Sequence, residues 1–304
     1  MTVFSLGEAF VEFVKKEGGK LENPGTFYGP YPSGAPAITA SAISRMGGKS
    51  RYAAVVGNDA FGRAFTERLR SDGVDVSSIR TTEKRTTGMA FVSYEGASRS
   101  FLFHAKDSAT ALLSEKDVNL SGVSIVHISG SSLGMGWQVA RAVRRTVSTA
   151  KRQGIPISFD PNVRKELLNE KMKMTLIAIS KTASYLMLSN EDAASLFGDP
   201  EAACRELSRD RVVILKKGAM GSEIYHKEER KIVPAIRVHE EDPTGAGDWY
   251  NGAFLAMIEQ GESVESAAKL ASAAAAISVS KIGPMEGPYS RSEVLELLKT
   301  SGLA

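Results

Sequence analysis

Short apolar runs recur along the chain, each followed by a turn and then by an amphipathic stretch. The runs Val3–Leu6, Tyr52–Val56, Ile125–Ile128, Ile157–Phe159, Tyr185–Leu188 and Val212–Leu215 are rich in β-branched or aromatic residues. None alternates cleanly with polar positions, which is the pattern of strands covered on both faces. Helical periodicity marks Pro36–Met46, Ala60–Ser71, Trp137–Arg152 and Lys171–Lys181 between them. Pro36 suits a first helical position, and Gly47–Gly48 suits a stop. The last third reads as helix over Asp248–Gln260, Val264–Ile282 and Arg291–Lys299. Alternation of this kind predicts an α/β fold, a mostly parallel central sheet with helices on both faces. Ligands of such sheets bind beyond the carboxyl ends of the strands.

Two stretches interrupt the alternation. Glu12–Pro32 is rich in Gly and Pro and has no helical period. Gly88–Lys106 reads as a hairpin: Met89–Tyr94, a turn at Glu95–Gly96, then Arg99–His104. Together, residues of about 12–32 and 88–106 predict a small β lid on a single domain spanning 1–304; an ordinary edge hairpin is the plainer alternative. A lid that closes over substrate excludes water from the reaction.

Composition narrows the function classes. The chain has 304 residues, 42% hydrophobic and 24% charged, with a net charge of +3. No Lys/Arg block accompanies that small excess, which argues against nucleic-acid binding and fits anionic small molecules. No apolar run reaches the roughly 20 residues that span a bilayer. The start of the chain carries Glu8 and Glu12 and lacks the basic opening of a leader, so a cytoplasmic protein is expected. The single cysteine, Cys204, lies in an apparent helix, Glu201–Leu207, and reads as a packing residue. His104, His127, His226 and His239 are scattered without metal-ligand spacing. His127 lies in a buried strand and reads as a core residue. The run Ala271–Ala276 suits close helix packing or the approach of a flat ring.

The strongest chemical signal is Asp242-Pro243-Thr244-Gly245-Ala246-Gly247-Asp248, which opens a helix. A Gly-Ala-Gly turn at that place leaves backbone N–H groups unpaired, and glycine lets an anion come close. The helix N-terminus adds partial positive charge. Such a turn stabilises phosphate oxygens while charge develops on them. Asp248 has two readings. It complements the helix macrodipole, worth about 0.3–1 kcal/mol, or it accepts the proton of an attacking hydroxyl. The helix N-terminus is expected to depress its pKa and leave a weak base, tolerable because phosphoryl transfer is largely loose. A second phosphate-facing turn is expected at Lys216-Lys217-Gly218-Ala219-Met220-Gly221, directly after a strand. Neither turn has the Gly-Lys-Ser/Thr of a P-loop.

These residues resemble the ribokinase-like (PfkB) carbohydrate kinases over nearly the whole chain. The resemblance is carried in order by Gly7-Glu8, Ser33-Gly34-Ala35-Pro36-Ala37, Val56-Gly57-Asn58-Asp59-Ala60-Phe61-Gly62 and Asp160-Pro161-Asn162-Val163-Arg164. It continues through Lys217–Gly221 and closes with Asp242–Asp248. It implies ATP and Mg²⁺ as cofactors, Asp248 as the base, and Gly245, Ala246 and Gly247 as the anion hole. Lys216, Gly218, Ala219, Met220 and Gly221 would then serve the nucleotide, together with the anion hole. It also implies a homo-oligomer, a dimer or dimer of dimers, joined through the lid. The chain departs from the family at Ile38, where an Asn usually stands. Ser189 and Asp192 occupy the positions of its Asn-x-x-Glu segment, which makes Asp192 the candidate for organising Mg²⁺.

Within the family, Gly7–Phe13, Phe101–Ser108 and Phe159–Arg164 look most like 2-keto-3-deoxygluconate kinases. That resemblance implies transfer to the terminal hydroxyl of 2-keto-3-deoxygluconate, with its galactonate epimer as a further substrate. A sugar acid needs a cation for its carboxylate; Arg164 and Lys106 are the candidates, with an Arg164–Asp160 salt bridge as the structural alternative. Gly34, Phe91 and Phe103 complete the expected sugar site, the two aromatics lining the sugar's apolar face or forming dimer core. The alternatives are a fructokinase or ribokinase acting on a neutral sugar, and a catalytically silent sugar-binding regulator.

Overall fold

The computed structural model describes residues 2–95, 98–164, 168–227 and 229–303. Its first half runs β1 (Val3–Leu6), β2 (Phe10–Lys15), β3 (Phe27–Ser33), α1 (Ala35–Arg45), β4 (Ser50–Gly57), α2 (Ala60–Ser71), β5 (Ile79–Thr82), β6 (Gly88–Glu95), β7 (Ser98–His104) and β8 (Ile125–Ser129). There follow α3 (Trp137–Arg152), β9 (Ile157–Asp160), α4 (Glu170–Ser180), β10 (Tyr185–Ser189), α5 (Asn190–Phe197), α6 (Pro200–Leu207), β11 (Val212–Lys216), β12 (Ser222–His226), β13 (Glu229–Val233), α7 (Ala246–Glu259), α8 (Val264–Val279) and α9 (Arg291–Thr300).

The main sheet has the order β13-β12-β11-β10-β9-β8-β1-β4-β5. From β5 to β11 every neighbouring pair is parallel; β12 and β13 add antiparallel at one edge. The mostly parallel α/β architecture expected from the apolar runs is therefore present, and it is the ribokinase-like fold that the family resemblance implies. One face buries Val143, Leu176, Leu196 and Cys204 from α3 to α6; the other buries Ile43, Phe254, Leu270 and Leu298 from α1 and α7 to α9. Burial on both faces explains why the parallel strands show no alternation. Among the described residues no helix is long and apolar enough to cross a membrane.

Helix starts follow local chemistry. Asp59 accepts from Gly62 N at the start of α2, and Asn169 accepts from Met172 N at the start of α4. Helix α7 departs from the expected amphipathic pattern: every residue from Asp248 to Met257 is buried. It is wedged between α1 and α8. At Gly252 a Cβ would lie 2.6 Å from Thr39 O, so the missing side chain permits the α1–α7 approach. The alanine run of α8 takes part in the same tight packing.

A separate four-stranded sheet has the order β3-β2-β6-β7. It covers the two stretches that interrupted the sequence pattern. Here β2 pairs parallel with β6, while the other two pairings are antiparallel. Glu95 pairs with Ser98 at the tip, and the expected turn residue Gly96 lies outside the described residues. The root of β6 is pinned to the start of α2: Thr87 N and Thr87 Oγ1 both donate to the Asp59 carboxylate, at 2.7 and 2.8 Å.

A second tie runs between α1, α2 and the segment after α8. The Asp72 side chain, 4% exposed, accepts from Ser41 Oγ (2.6 Å), Arg45 Nε (2.9 Å) and Arg68 Nε (3.1 Å). Arg68 also pairs with Glu286. Removing the shared acceptor leaves Arg45 with backbone carbonyls alone and Arg68 with Glu286 as its carboxylate. Asp72→Ala should lower unfolding free energy by about 3 kcal/mol, read by urea denaturation; an unchanged midpoint would contradict this.

Candidate active site

Every cavity-lining turn of the main sheet follows the carboxyl end of a parallel strand. Glu8 follows β1, Ser131 follows β8, Asn162 follows β9, and Asn190 follows β10; Lys216 ends β11. They converge on a cavity of about 530 Å³ whose remaining walls are the inner face of the lid sheet and the start of α7.

At the start of α7, Gly245 is the N-cap in left-handed conformation, φ 81°, where a Cβ would lie 2.7 Å from Pro284 O. The first helical bond is Trp249 N to Gly245 O, 2.8 Å. The amides of Gly247 and Asp248 have no acceptor among the described residues, and Gly247 lines the cavity. Lys216 Nζ lies 3.4 Å from the point where a Gly247 Cβ would stand. An ammonium group therefore stands beside the start of α7, where two amides have no acceptor among the described residues. Ala246 is not part of the cavity wall; its amide reaches back to Pro243 O at 3.4 Å.

Asp160 sets that arrangement. Its Oδ2 accepts from Lys216 Nζ (2.7 Å) and Asn251 Nδ2 (2.6 Å), and its Oδ1 accepts from Asn162 N (3.0 Å). Asn251 Oδ1 accepts from Lys216 Nζ at 3.1 Å. The alternative of an Arg164–Asp160 salt bridge does not form, because Lys216 and Asn251 occupy Asp160 first. Asn162 takes φ 40°, which Asn tolerates, and this turn directs Val163 N onto Asp192 Oδ1 (2.8 Å). Arg164 then lines the cavity, with its guanidinium 5.3 Å above the Phe101 ring of β7.

Asp248 also lines the cavity. The expectation of a depressed pKa is overturned. Burial pushes its carboxyl up to about 8, the neighbouring Asp160 adds to the rise, and Lys216 and Arg164 oppose it. Desolvation outweighs the helix N-terminus here. The result is a stronger base than a surface aspartate.

The other expected site residues divide. Gly34 lines the cavity, and a Cβ there would strike Glu8 O. Phe103 lines it, stacked on Phe101 at 5.2 Å. Phe91 does not: it packs on Phe13 (5.2 Å) and Phe27 (5.7 Å) on the outer face of the lid sheet. One register step separates the two faces, since Ala90, not Phe91, borders the cavity. Lys106 is exposed and off the cavity wall; its carbonyl accepts from Arg85. Gly218 and the exposed Met220 border the cavity mouth. Ala219 and Gly221 stand off the cavity wall, and Gly221 packs against Val233 and Ala235.

Asp192 is buried and caps α5 reciprocally with Ser189, while accepting from Val163 N. Burial and Asp160 hold its carboxyl above the ordinary range. Two crowded acids facing one lysine are a donor set that a divalent cation relieves, so these residues fit Mg²⁺. Mg²⁺ commonly uses only one or two carboxylates, with water and phosphates supplying the rest. Among the described residues no group of three or more His, Cys, Asp or Glu forms a metal cluster.

Sequence reasoning passed over Glu12, Asp160 and Asn251 as site residues. Glu12 lines the cavity and accepts from Ser33 Oγ at 3.1 Å. Asn251 lies one helical turn beyond Asp248, a spacing that brings it beside the same site. Remaining residues stay with packing: burial pushes the pKa of His127 down to about 4, and Trp249 is fully buried with Nε1 donating to Pro284 O.

The pattern of pfkB family carbohydrate kinases matches residues 2–290. The chain belongs to this family. Among its curated relatives, fructokinase-1 of Oryza sativa subsp. japonica is 29% identical over 98% of both chains. Fructokinase-2 of the same plant is 31% identical over 92% of this chain and 89% of its own. Among solved structures, an E. coli protein provisionally called ribokinase II, in complex with ATP and Mg²⁺, has a TM-score of 0.92 at 36% identity. The match covers 98% of this chain and 99% of that one. A fructokinase of Vibrio cholerae O395, bound to fructose, ADP and calcium, has a TM-score of 0.86 at 25% identity, covering 98% of each chain. Both of these curated relatives and one of the two solved structures carry the name fructokinase.

The raised pKa of Asp248 gives a stability prediction. A carboxyl moved from its ordinary 3.8 to about 8 by burial favours the folded state when protonated. That contribution is complete below the lower value and is lost as pH rises through the upper one. Between pH 4 and 8 the kinase should lose stability relative to Asp248→Asn. Paired melting curves across that range check it; parallel curves would rule it out.

Proposed function

We propose that this kinase moves the γ-phosphoryl group of ATP, with Mg²⁺, onto a primary hydroxyl of a neutral ketose, a fructokinase-type activity. The observation that carries this is the sugar side of the cavity. Beneath the lid it is lined by Glu8, whose carboxylate accepts from the Ser131 and Ser132 hydroxyls and has lone pairs left for sugar hydroxyls. A carboxylate at that place repels an acidic acceptor. The names of the relatives agree with it.

In this reading Asp248 takes the proton as the sugar oxygen bonds to phosphorus and the bond to the ADP oxygen breaks. The Gly247 and Asp248 amides and the Lys216 ammonium, already fixed by Asp160 and Asn251, receive the charge on the migrating group. Mg²⁺, when bound, neutralises phosphate charge, with Asp192 beside Asp160 as its protein contact. Gly218 and Met220 border the nucleotide's end of the cavity. The lid sheet excludes water, and its outer aromatics, with Leu102 59% exposed, are proposed as the contact between two copies.

A second reading rests on Arg164. No carboxylate pairs with it among the described residues, and it faces the cavity. A 2-keto-3-deoxy sugar acid would use it. A coupled ADP assay over neutral ketoses and 2-keto-3-deoxy sugar acids separates the readings, and activity on the acids alone would sink the first. Arg164→Ala should cost tenfold or more, about 1.5 kcal/mol, on a sugar acid and little on a ketose. Asp248→Asn should lower kcat by about 10²–10⁴-fold with the sugar KM nearly unchanged. A silent binding protein would show no turnover before the substitution.

A further inference from the structure

We propose that Tyr94, near the tip of β6, is a latch that locks the lid sheet onto the turn presenting the anion-hole amides, making it a positioning residue for phosphoryl transfer. The inference rests on the kinase reading above for its consequence, not for its geometry. Tyr94 belongs to the same strand face as Ala90, which borders the cavity. Its hydroxyl reaches across to Asp242 Oδ1 at 2.7 Å and to Thr244 Oγ1 at 2.6 Å. Those residues lie 148 and 150 positions along the chain, immediately before Gly245.

The proton inventory of the contact is consistent. Asp242 is acceptor-only when ionised, so the tyrosine O–H donates to it and the Thr244 hydroxyl donates to the phenol oxygen. Asp242, 2% exposed, also accepts from Thr244 N (2.9 Å) and Gly283 N (3.0 Å). Its carboxylate therefore shapes the turn leading into Gly245 while holding the lid. On the lid side the latch is braced. Gly19 N donates to Tyr94 O at 2.8 Å, and Ser93 Oγ donates to Gly19 O. A sugar bound under the lid favours the closed arrangement; closure brings the phenol to Asp242 and Thr244; the turn is then held as the phosphoryl group arrives. Sugar binding and anion-hole order become one equilibrium.

Breaking the latch should leave a kinase that closes poorly, admits water and wastes ATP. Tyr94→Phe removes only the hydroxyl. A hydrogen bond to a charged acceptor shifts such an equilibrium by about tenfold. In hydrogen–deuterium exchange of the free protein, β6 amides should exchange about tenfold faster, while β8 to β11 stay unchanged as an internal control. With the preferred acceptor, the sugar KM should rise about tenfold and ADP should form in excess of sugar phosphate. A loss of stability alone would slow both products together at a ratio of one. Unchanged lid exchange, or an ADP to sugar-phosphate ratio still at one with an unchanged KM, overturns the latch. The exchange measurement needs no acceptor, so failure of every ketose in the panel would strike the substrate reading and leave the latch to be decided by exchange.

Discussion

A buried carboxylate, Asp160, holds the floor of the cavity together. It grips Lys216 and Asn251 with one oxygen and the turn after β9 with the other. Three elements, β9, β11 and α7, are thereby registered against one another at the point where charge must be handled. The same carboxylate raises the pKa of Asp248. Lys216 counters that effect, so Asp248 is tuned by a pair whose members oppose one another. Such a buried pair is costly to assemble and stabilises little by itself. Here its role is to fix positions.

The period of the apolar runs made the main sheet legible, because strands buried on both faces announce themselves by unbroken β-branched residues. The edges were harder to read. β5 and β13 have mostly polar or exposed residues, so no apolar run marks them. Asp242–Asp248 was legible because an anion-binding helix start needs small residues in a row, and few other structures do. Its aspartate was misjudged in one respect: the helix end is a local property, whereas burial of α7 on all sides depends on α1 and α8, which are distant in sequence.

Aromatics in the lid show the same limit. Phe91 and Phe103 look equivalent along the chain, yet they lie on opposite faces of a sheet whose register is set by pairing between β2, β6 and β7. A single step of that register exchanges a place on the cavity wall for one on the outer face. Lys106 was placed at the site by its nearness to the hairpin, but the chain has already left the lid there. Asp160 was read only as a partner for Arg164, since nothing in its own run reveals that Lys216 and Asn251 arrive from two later elements.

Gly252 gives the molecule an asymmetry. Its bare backbone seats α7 against α1 with no slack, so the helix bearing Asp248 behaves as an anvil. The opposite wall is a thin sheet attached by few chain crossings and braced at its tip. Acceptors of different length or shape must therefore be accommodated by the sheet, and new specificity would arise by re-contouring that wall while the anvil beneath stays where it is.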